Sequence, residues 1–146
     1  MLSLAAGVDA IEIDRVRKTL GRHPQRFLRR VYTELEIAYC RGRIGELAVR
    51  FAAKEATMKA LGTGVRGVGW RDIEVLPDRR GKPLVYLHGR AVERARQIGM
   101  GQPEVSMTHS DLLALAFVVA SCEGEPIDYA DARLALVERL KRRGLL

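Results

Sequence analysis

The stretch from Phe51 to Gly64 places one carboxylate among several bases at helical spacing. Its small and apolar residues predict a helix over about residues 47–61 that ends at a pair of glycines. Residues four apart lie on one face of a helix, so the carboxylate of Glu55 should have basic neighbours. Those neighbours are Arg50, Lys54 and Lys59. One acid among bases suits a divalent cation bound beside phosphate groups. A core helix with solvated charges is the alternative that spacing leaves open.

A second acidic side chain follows the apolar opening of the chain. Leu2–Val8 is predicted as a first strand, and Asp9 comes directly after it. An aspartate in this place can be a metal ligand, or it can cap a following helix. Asp9 and Glu55 could share one magnesium ion, which takes a few carboxylates, several waters and substrate phosphate oxygens.

Length and composition indicate one soluble domain. The chain has 146 residues, of which 47% are hydrophobic and only 5% aromatic, so its core should be built from Ala, Val, Leu and Ile. The longest apolar run, Leu112–Ala120, is too short to span a membrane and is expected to be a buried strand. No basic segment precedes the apolar N-terminus, so no signal peptide is expected. Cys40 and Cys122 lack metal or redox spacing, which favours reduced thiols in a cytoplasmic protein.

The formal net charge of +7 predicts an anionic partner. Nucleic acid, an anionic membrane, or an acidic protein together with a phosphorylated cofactor would each fit this charge. The sequence contains no recognised nucleic-acid motif, and its aromatic residues are not interleaved with the basic ones. A basic nucleic-acid-binding module without catalysis nevertheless stays as the alternative.

The predicted elements separate into helices and hairpins, which favours an α+β fold with antiparallel strands and helices packed on them. Thr33 and Glu36 form a capping-box pattern at a helix start, and Gly21 and Pro24 are expected to break the helices before it. Helices are predicted over 13–20, 25–32, 33–40, 47–61 and 91–98, and further strands over 70–76, 83–87, 104–108 and 113–121. The glycine-rich segment 62–69 is either a flexible connector or a loop whose backbone approaches phosphates.

Four sequence blocks occur in a fixed order along residues 4 to 122. The blocks are Gly7–Val16 (GVDAIEIDRV), Tyr32–Cys40 (YTELEIAYC), Arg50–Gly64 (RFAAKEATMKALGTG) and Val105–Ser110 (VSMTHS), with Arg80–Pro83 (RGKP) before the last. On these blocks the chain resembles the holo-acyl carrier protein synthases, a family of small 4'-phosphopantetheinyl transferases. The third block is long and specific, so the resemblance extends well beyond a single short motif.

The resemblance implies a magnesium-dependent transferase of fatty acid biosynthesis. Such an enzyme moves the 4'-phosphopantetheine arm of coenzyme A onto a serine of apo-acyl carrier protein, and 3',5'-ADP leaves. Phosphoryl transfer of this kind depends mostly on positioning and electrostatics. Carrier proteins are acidic, so a positively charged enzyme would attract them. Members of the family form homotrimers with each cleft built from two subunits, which implies the same assembly for this chain.

The resemblance also implies roles for individual residues. Asp9 and Glu55 are expected to bind the magnesium ion, and Lys59 to neutralise the pyrophosphate, so that these three form the catalytic group. Arg50 and His109 are expected to contact coenzyme A phosphates. The remaining coenzyme A contacts would be Gly62, Gly64, Arg80, Gly81, Lys82, Pro83 and Thr108. The base that takes the serine proton is either Glu55 or a metal-bound water that Glu55 orients.

The last residues are not covered by the resemblance. Gly124–Pro126 should break the chain, so residues 1–123 are predicted as the transferase domain and residues 124–146 as a C-terminal extension. Asp128 can cap a helix over about 129–143. That helix either packs on the body or on a neighbouring subunit, or it docks a carrier protein. A carrier-binding protein that kept the fold without activity is a further alternative, against which the intact catalytic group speaks.

Overall fold

The chain adopts an α+β fold in a computed structural model that describes residues 2–124 and 128–146. The elements in chain order are β1 (Leu2–Glu12), α1 (Ile13–Arg22), α2 (Pro24–Val31), α3 (Glu34–Cys40), α4 (Ile44–Leu61), α5 (Gly64–Gly67), a 3-10 turn (Trp70–Asp72), β2 (Ile73–Pro77), β3 (Pro83–Leu87), α6 (Gly89–Gln97), β4 (Glu104–His109), β5 (Leu113–Glu123) and α7 (Tyr129–Arg142). Of the predicted break at Gly124–Pro126, the last two residues lie outside the described part. The predicted fold class is confirmed.

A three-stranded antiparallel sheet in the order β1–β5–β4 carries the long helix α4 on one face. The second sheet is the predicted hairpin of β2 and β3. Alanines supply much of the contact between α4 and the large sheet, because Ala52, Ala53 and Ala56 are fully buried. Small side chains let helix and strand approach closely, which compensates for the scarcity of aromatic residues. No helix in the described residues is long and apolar enough to cross a membrane.

Gly7 fixes the closest approach between β1 and α4. A Cβ atom at this position would lie 1.9 Å from the carbonyl oxygen of Ala56, so no other residue fits without displacement of the helix. Side chains two residues apart lie on the same face of a strand. Asp9 therefore also faces α4, at a point where strand and helix are already pressed together.

The first strand is longer than predicted. Asp9 lies inside β1 rather than after its end, because β1 pairs with β5 over its whole length, from Leu2 opposite Glu123 to Glu12 opposite Leu113. The partner strand keeps the backbone extended where the local sequence gives no such signal. The possibility that Asp9 caps a helix is also excluded, since α1 begins four residues later at Ile13.

The apolar run Leu112–Ala120, expected to be wholly buried, is buried on one side only. In β5, Ala114, Ala116 and Val118 face the core. The alternate residues Leu113, Leu115 and Phe117 are 43%, 40% and 44% exposed, and Leu2, Leu4 and Val8 of β1 are exposed beside them. The sheet thus has an open apolar face opposite α4.

Several predicted boundaries differ from those in the structure. The helix α4 begins at Ile44, one turn before the predicted start, because its N-cap Arg43 gives no side-chain capping signal. Gly21 does not break α1, which continues through it to Arg22. Trp70–Asp72 forms a 3-10 turn ahead of β2, and the glycine-rich segment contains the single helical turn α5.

The local capping signals were predicted correctly. Thr33 and Glu36 form the reciprocal capping box at the start of α3. Gly62 ends α4 in the left-handed conformation, with φ at 72°. The carboxylate of Asp128 accepts hydrogen bonds from the backbone N–H groups of Ala130 and Asp131, each at 3.0 Å, at the start of α7.

Candidate active site

Two carboxylates from distant parts of the sequence meet where β1 crosses α4. Asp9 extends from the strand and Glu55 from the helix, so the predicted convergence of these side chains is present. The pKa of Glu55 is raised, first because burial penalises the charged form and then because Asp9 lies beside it. Lys59 and Arg15 act in the opposite direction. Two adjacent carboxylates of this kind repel each other, so a nearby positive charge stabilises both of them.

Lys59 supplies part of this positive charge. Its ammonium group donates a hydrogen bond of 2.8 Å to the carbonyl oxygen of Val8 and lies 3.2 Å from Oδ1 of Asp9. The Lys59 side chain is 55% exposed, so its charge is also accessible to a bound anion. The other oxygen of Asp9, Oδ2, is buried and has no hydrogen-bond partner among the described residues. An orphaned carboxylate oxygen beside a second carboxylate fits coordination to a cation.

The donor set fits magnesium better than a transition metal. Both donors are carboxylates, and the described residues contain no cluster of three or more His, Cys, Asp or Glu side chains that could enclose a metal. Structural zinc requires about four protein ligands. Magnesium binds through one or two carboxylates and leaves its other positions to water and substrate phosphates. Asp9 and Glu55 would meet this requirement for a bound magnesium ion.

A separate cleft brings together five of the ten residues predicted to bind coenzyme A. It has a volume of about 230 Å³. The predicted residues that line it are Arg50, Gly81, Pro83, Thr108 and His109, and Tyr39, Glu46, Val49 and Met107 complete its wall. These residues come from α3, α4, the β2–β3 turn and β4, so the grouping depends entirely on the tertiary fold.

The ring of His109 lies against the first turn of α4. A Cβ atom at Gly45 would lie 2.5 Å from Cε1 of His109, so the absence of a side chain at residue 45 makes room for the imidazole. The first N–H groups of a helix have no intrahelical partner and favour anions. A phosphate could bind this helix end together with His109. Gly45 was not predicted as part of the site, because the predicted helix began only at residue 47, whereas α4 begins at Ile44.

Arg50 forms a rigid wall of this cleft. It is 1% exposed, its Nε donates to the carbonyl oxygen of Val75 at 2.9 Å, and its Nη1 donates to Oε2 of Glu46 at 2.5 Å. The centre of its guanidinium group lies 4.7 Å from the ring centroid of Tyr39. Most of its hydrogen-bonding capacity is thus used within the protein, which leaves a fixed positive charge beside the cleft.

The expectation that Arg50 and Lys54 surround Glu55 is wrong. Lys54 is fully buried, and its ammonium group lies 2.7 Å from Oε1 of Glu36 in an ion pair within the core. Burial lowers the pKa of Lys54, and the charge of Glu36 opposes this shift. Lys54 therefore supports the core, and its charge is not solvated. Helical spacing shows which side chains share a face of α4, but it does not show which face packs against the core.

The remaining predicted contacts lie in the glycine segment and in the β2–β3 turn. Gly62 and Gly64 have φ angles of 72° and 61°, and Gly62 borders a cleft with Arg90 and Arg94 at the end of α4. At the β2–β3 turn, the carboxylate of Asp78 accepts hydrogen bonds from the backbone N–H groups of two predicted contacts. These contacts are Arg80 at 2.8 Å and Lys82 at 2.9 Å, and Gly81 between them has φ at 88°. Both side chains are exposed, and Lys82 pairs with Glu104 at 3.0 Å.

The acidic pair and the nucleotide cleft are separated along α4. Gly45 lies ten residues before Glu55, and at 1.5 Å per residue this corresponds to about 15 Å along the helix axis. The structure thus groups Asp9, Glu55 and Lys59 in one place, and Arg50, Gly81, Pro83, Thr108 and His109 in another.

Comparisons with known proteins place the sequence among similar ones. Residues 5–115 match the family model of the 4'-phosphopantetheinyl transferase superfamily. A holo-acyl-carrier-protein synthase of Herpetosiphon aurantiacus is 50% identical over 123 residues, which cover 80% of this chain and 97% of the relative. A protein of the same name from Moorella thermoacetica is 50% identical over 116 residues, which cover 77% of this chain and 90% of the relative.

Solved structures of similarly named proteins share the fold. The enzyme of Neisseria meningitidis matches with a TM-score of 0.73 at 34% identity, over 80% of this chain and 96% of that one. The enzyme of Helicobacter pylori, solved in complex with coenzyme A, matches with a TM-score of 0.73 at 29% identity. The match covers 79% of this chain and 98% of that one.

Proposed function

The chain belongs to the 4'-phosphopantetheinyl transferase superfamily, and we propose that it transfers phosphopantetheine with a magnesium ion held by Asp9 and Glu55. It is a holo-acyl-carrier-protein synthase, which moves this group from coenzyme A to a serine of apo-acyl carrier protein. The observation that carries the metal assignment is the buried, unpartnered Oδ2 of Asp9 beside the Glu55 carboxylate. Membership of this family decides against the nucleic-acid-binding alternative.

The residues at the acidic pair match the charge changes of the reaction. The serine oxygen bonds to the phosphorus of the pantetheine phosphate, and the bond from that phosphorus to the oxygen of 3',5'-ADP breaks. Bound magnesium would neutralise the pyrophosphate oxygens. Lys59, held by Val8 and Asp9, supplies a second positive charge for the leaving phosphate. The serine proton passes to Glu55 or to a water beside it.

The second cleft would hold the nucleotide end of coenzyme A. His109 and the N-terminus of α4 are suited to a phosphate monoester, because both present N–H donors and the one acid of that helix turn, Glu46, is paired with Arg50. Gly81 and Pro83 border the same cleft and would lie beside the nucleoside. Arg80 and Lys82, exposed at the neighbouring turn, and the backbone near Gly62 and Gly64 would provide the remaining contacts.

One coenzyme A is more easily explained as bound between two copies of the chain than within one. Gly45, beside the His109 ring, lies about 15 Å from Glu55 along α4, and Lys59 at the acidic pair is exposed to solvent. The open face of the sheet adds an apolar surface that a second copy could cover. We therefore extend the proposal to a homotrimer with sites at its subunit interfaces. We also place the enzyme in fatty acid biosynthesis and in the cytoplasm, where Cys40 and Cys122 would stay as free thiols.

The test is a mass measurement on a carrier protein. Incubation with coenzyme A, magnesium and apo-acyl carrier protein should add one phosphopantetheine arm per carrier and release 3',5'-ADP. Chelation of the metal should stop the transfer, and Glu55→Ala should abolish it without a change in circular dichroism. A folded enzyme that modifies none of several carriers would disprove the activity. Full activity in the presence of a chelator would disprove only the metal assignment.

A further inference from the structure

The C-terminal helix α7 has the features of a packing element but lies outside the core. Asp128 caps its start, and at its end Gly144 adopts a φ of 66° while the N–H of Leu145 donates to the carbonyl oxygen of Leu140. All residues of α7 are described, and none of them is buried. An isolated helix of 14 residues is only marginally stable in water, so most of its stability should come from a contact with another surface.

One side of α7 is apolar enough to form such a contact. Tyr129, Leu136 and Leu140 recur at helical spacing, with Val137 next to them. Tyr129 and Leu136 are 81% and 43% exposed. From residue 129 to residue 140 the stripe extends about 16 Å along the helix. This length fits an apolar surface of roughly half a long strand.

The open face of the large sheet offers a surface of this size. Its most exposed part lies at the start of β1, where Leu2 and Leu4 are 67% and 74% exposed although α7 of the same chain is in place. The other apolar residues, Val8, Leu113, Leu115 and Phe117, lie further along the same face. The chain therefore has an apolar helix side on which Val137 and Leu140 are only half-buried, and a sheet face on which Leu2 and Leu4 stay exposed.

The charges of the two surfaces are complementary. The described residues of the open sheet face carry glutamates and no lysine or arginine, and Glu123 lies opposite Leu2 at the exposed end. The second half of α7 is basic. Its basic residues are Arg139, Lys141, Arg142 and, at the C-cap, Arg143. Placing these residues beside Glu123 would add attraction to the apolar contact.

We propose that α7 packs on a second copy of this chain, across the open sheet face over Leu2 and Leu4. The extension of residues 124–146, which follows the part matched by the family model, then serves as a clasp between subunits. This inference rests on the association of copies in the proposed function, but not on the transferase activity. It also leaves Val8, Leu115 and Phe117 free for direct contact between sheets.

Disulfide cross-linking between two distinguishable chains tests this contact. One full-length chain carries Leu4→Cys, and a second chain with a size tag carries Leu140→Cys. The native Cys40 and Cys122 are buried and stay in place. Mild oxidation of co-expressed chains should give a linked pair that contains one chain of each size. Ala135→Cys in place of Leu140→Cys, on the far side of α7, should give at least tenfold less product.

A second pair of variants tests the energetic contribution. Leu136→Asp combined with Leu140→Asp should raise the concentration of half-dissociation more than tenfold, because two leucine side chains lose their apolar contact. Ala135→Asp is the matched control and should change the concentration of half-dissociation by no more than about twofold. Circular dichroism must show that both variants keep their helices.

Four outcomes would overturn the proposal. The first is equal cross-linking through Ala135→Cys. The second is a disulfide within one chain that carries both Leu4→Cys and Leu140→Cys, since α7 would then cover its own sheet. The third is a wild-type chain that is monomeric by light scattering at micromolar concentration. An oligomer that cross-links in neither arrangement would also reject the clasp while leaving the trimer and the transferase activity intact.

Discussion

At the scale of single residues, the acidic pair of Asp9 and Glu55 is electrostatically unfavourable for the folded chain. Burial and the neighbouring Asp9 both raise the pKa of Glu55, and one oxygen of Asp9 has no partner. Lys59 compensates only partly, because it contacts the other oxygen of Asp9 and is half exposed. The residues most useful for binding a cation are thus those that contribute least to stability when no cation is bound.

This balance predicts opposite effects of one substitution on stability and on metal binding. Glu55→Gln removes the repulsion with Asp9, so the metal-free protein should be as stable as the wild type or more stable. Magnesium should raise the melting temperature of the wild type and have no effect on the variant. Thermal unfolding with and without magnesium measures both effects. Glu12→Gln is the control, since Glu12 lies on the opposite face of β1, and it should behave like the wild type.

At the scale of elements, helix α4 extends from the cleft that contains His109 to the acidic pair. Its first turn supports His109 through Gly45, and its second half carries Glu55 and Lys59. The position of His109 is possible only because residue 45 has no side chain. A phosphate bound here would contact the imidazole and the helix N-terminus together.

The role of this helix end can be tested with a ligand that lacks one phosphate. His109→Ala should weaken the binding of coenzyme A about tenfold to a hundredfold, the range for loss of a hydrogen bond to a charged group. Binding of dephospho-coenzyme A, which has no 3'-phosphate, should hardly change. Gly45→Ala should show the same selectivity, because its methyl group would displace the ring. Calorimetric titration of each variant with coenzyme A and with dephospho-coenzyme A measures the two affinities. Equal losses for both ligands would contradict a role in binding that phosphate.

The sequence predicted the elements whose signals are local and missed what depends on tertiary contact. The capping box of Thr33 and the glycine stop at Gly62 are local, and both were correct. The full length of β1 depends on β5, more than 100 residues away, and could not be seen from residues 2–12 alone. The burial of Lys54 was missed for a similar reason. Its partner Glu36 lies in another helix, and no periodicity of α4 reveals it.

The buried pair of Lys54 and Glu36 leads to a stability prediction. Besides Lys54, the carboxylate of Glu36 accepts hydrogen bonds from the backbone N–H groups of Thr33 at 2.9 Å and Val75 at 3.0 Å, so it joins α3 to β2. Lys54→Met should destabilise the protein by about 3–5 kcal/mol, because it leaves a buried carboxylate without its cation. Adding Glu36→Gln should recover part of that loss, since glutamine keeps an oxygen acceptor without the charge.

Urea denaturation of the single and double variants measures this coupling. Lys59→Met on the same helix is the control for loss of a lysine, and it should cost no more than about 1 kcal/mol because its side chain is half exposed. Additive losses in the double variant would contradict the coupling of Lys54 and Glu36.

At the scale of the whole molecule, the fold separates the two parts of the proposed site. Coenzyme A has its pyrophosphate and its 3'-phosphate on the same nucleotide, whereas Gly45, beside the His109 ring proposed to bind the 3'-phosphate, lies about 15 Å from Glu55 along one helix. Closed assembly around a symmetry axis would bring the acidic pair of one copy beside the cleft of the next. The open apolar sheet face and the unpacked α7 are surfaces through which such an assembly could be held.

Mixed oligomers decide whether the site is shared. Asp9→Asn in one chain and His109→Ala in another should each be nearly inactive at low coenzyme A. If each site takes Asp9 from one copy and His109 from the next, co-expression at equal levels should restore about a quarter of the wild-type sites, because random association pairs the two intact residues that often. The wild type co-expressed with a chain that carries both substitutions gives the control. A shared site predicts about a quarter of the activity there, whereas a site within one chain predicts about half and no restoration in the first mixture.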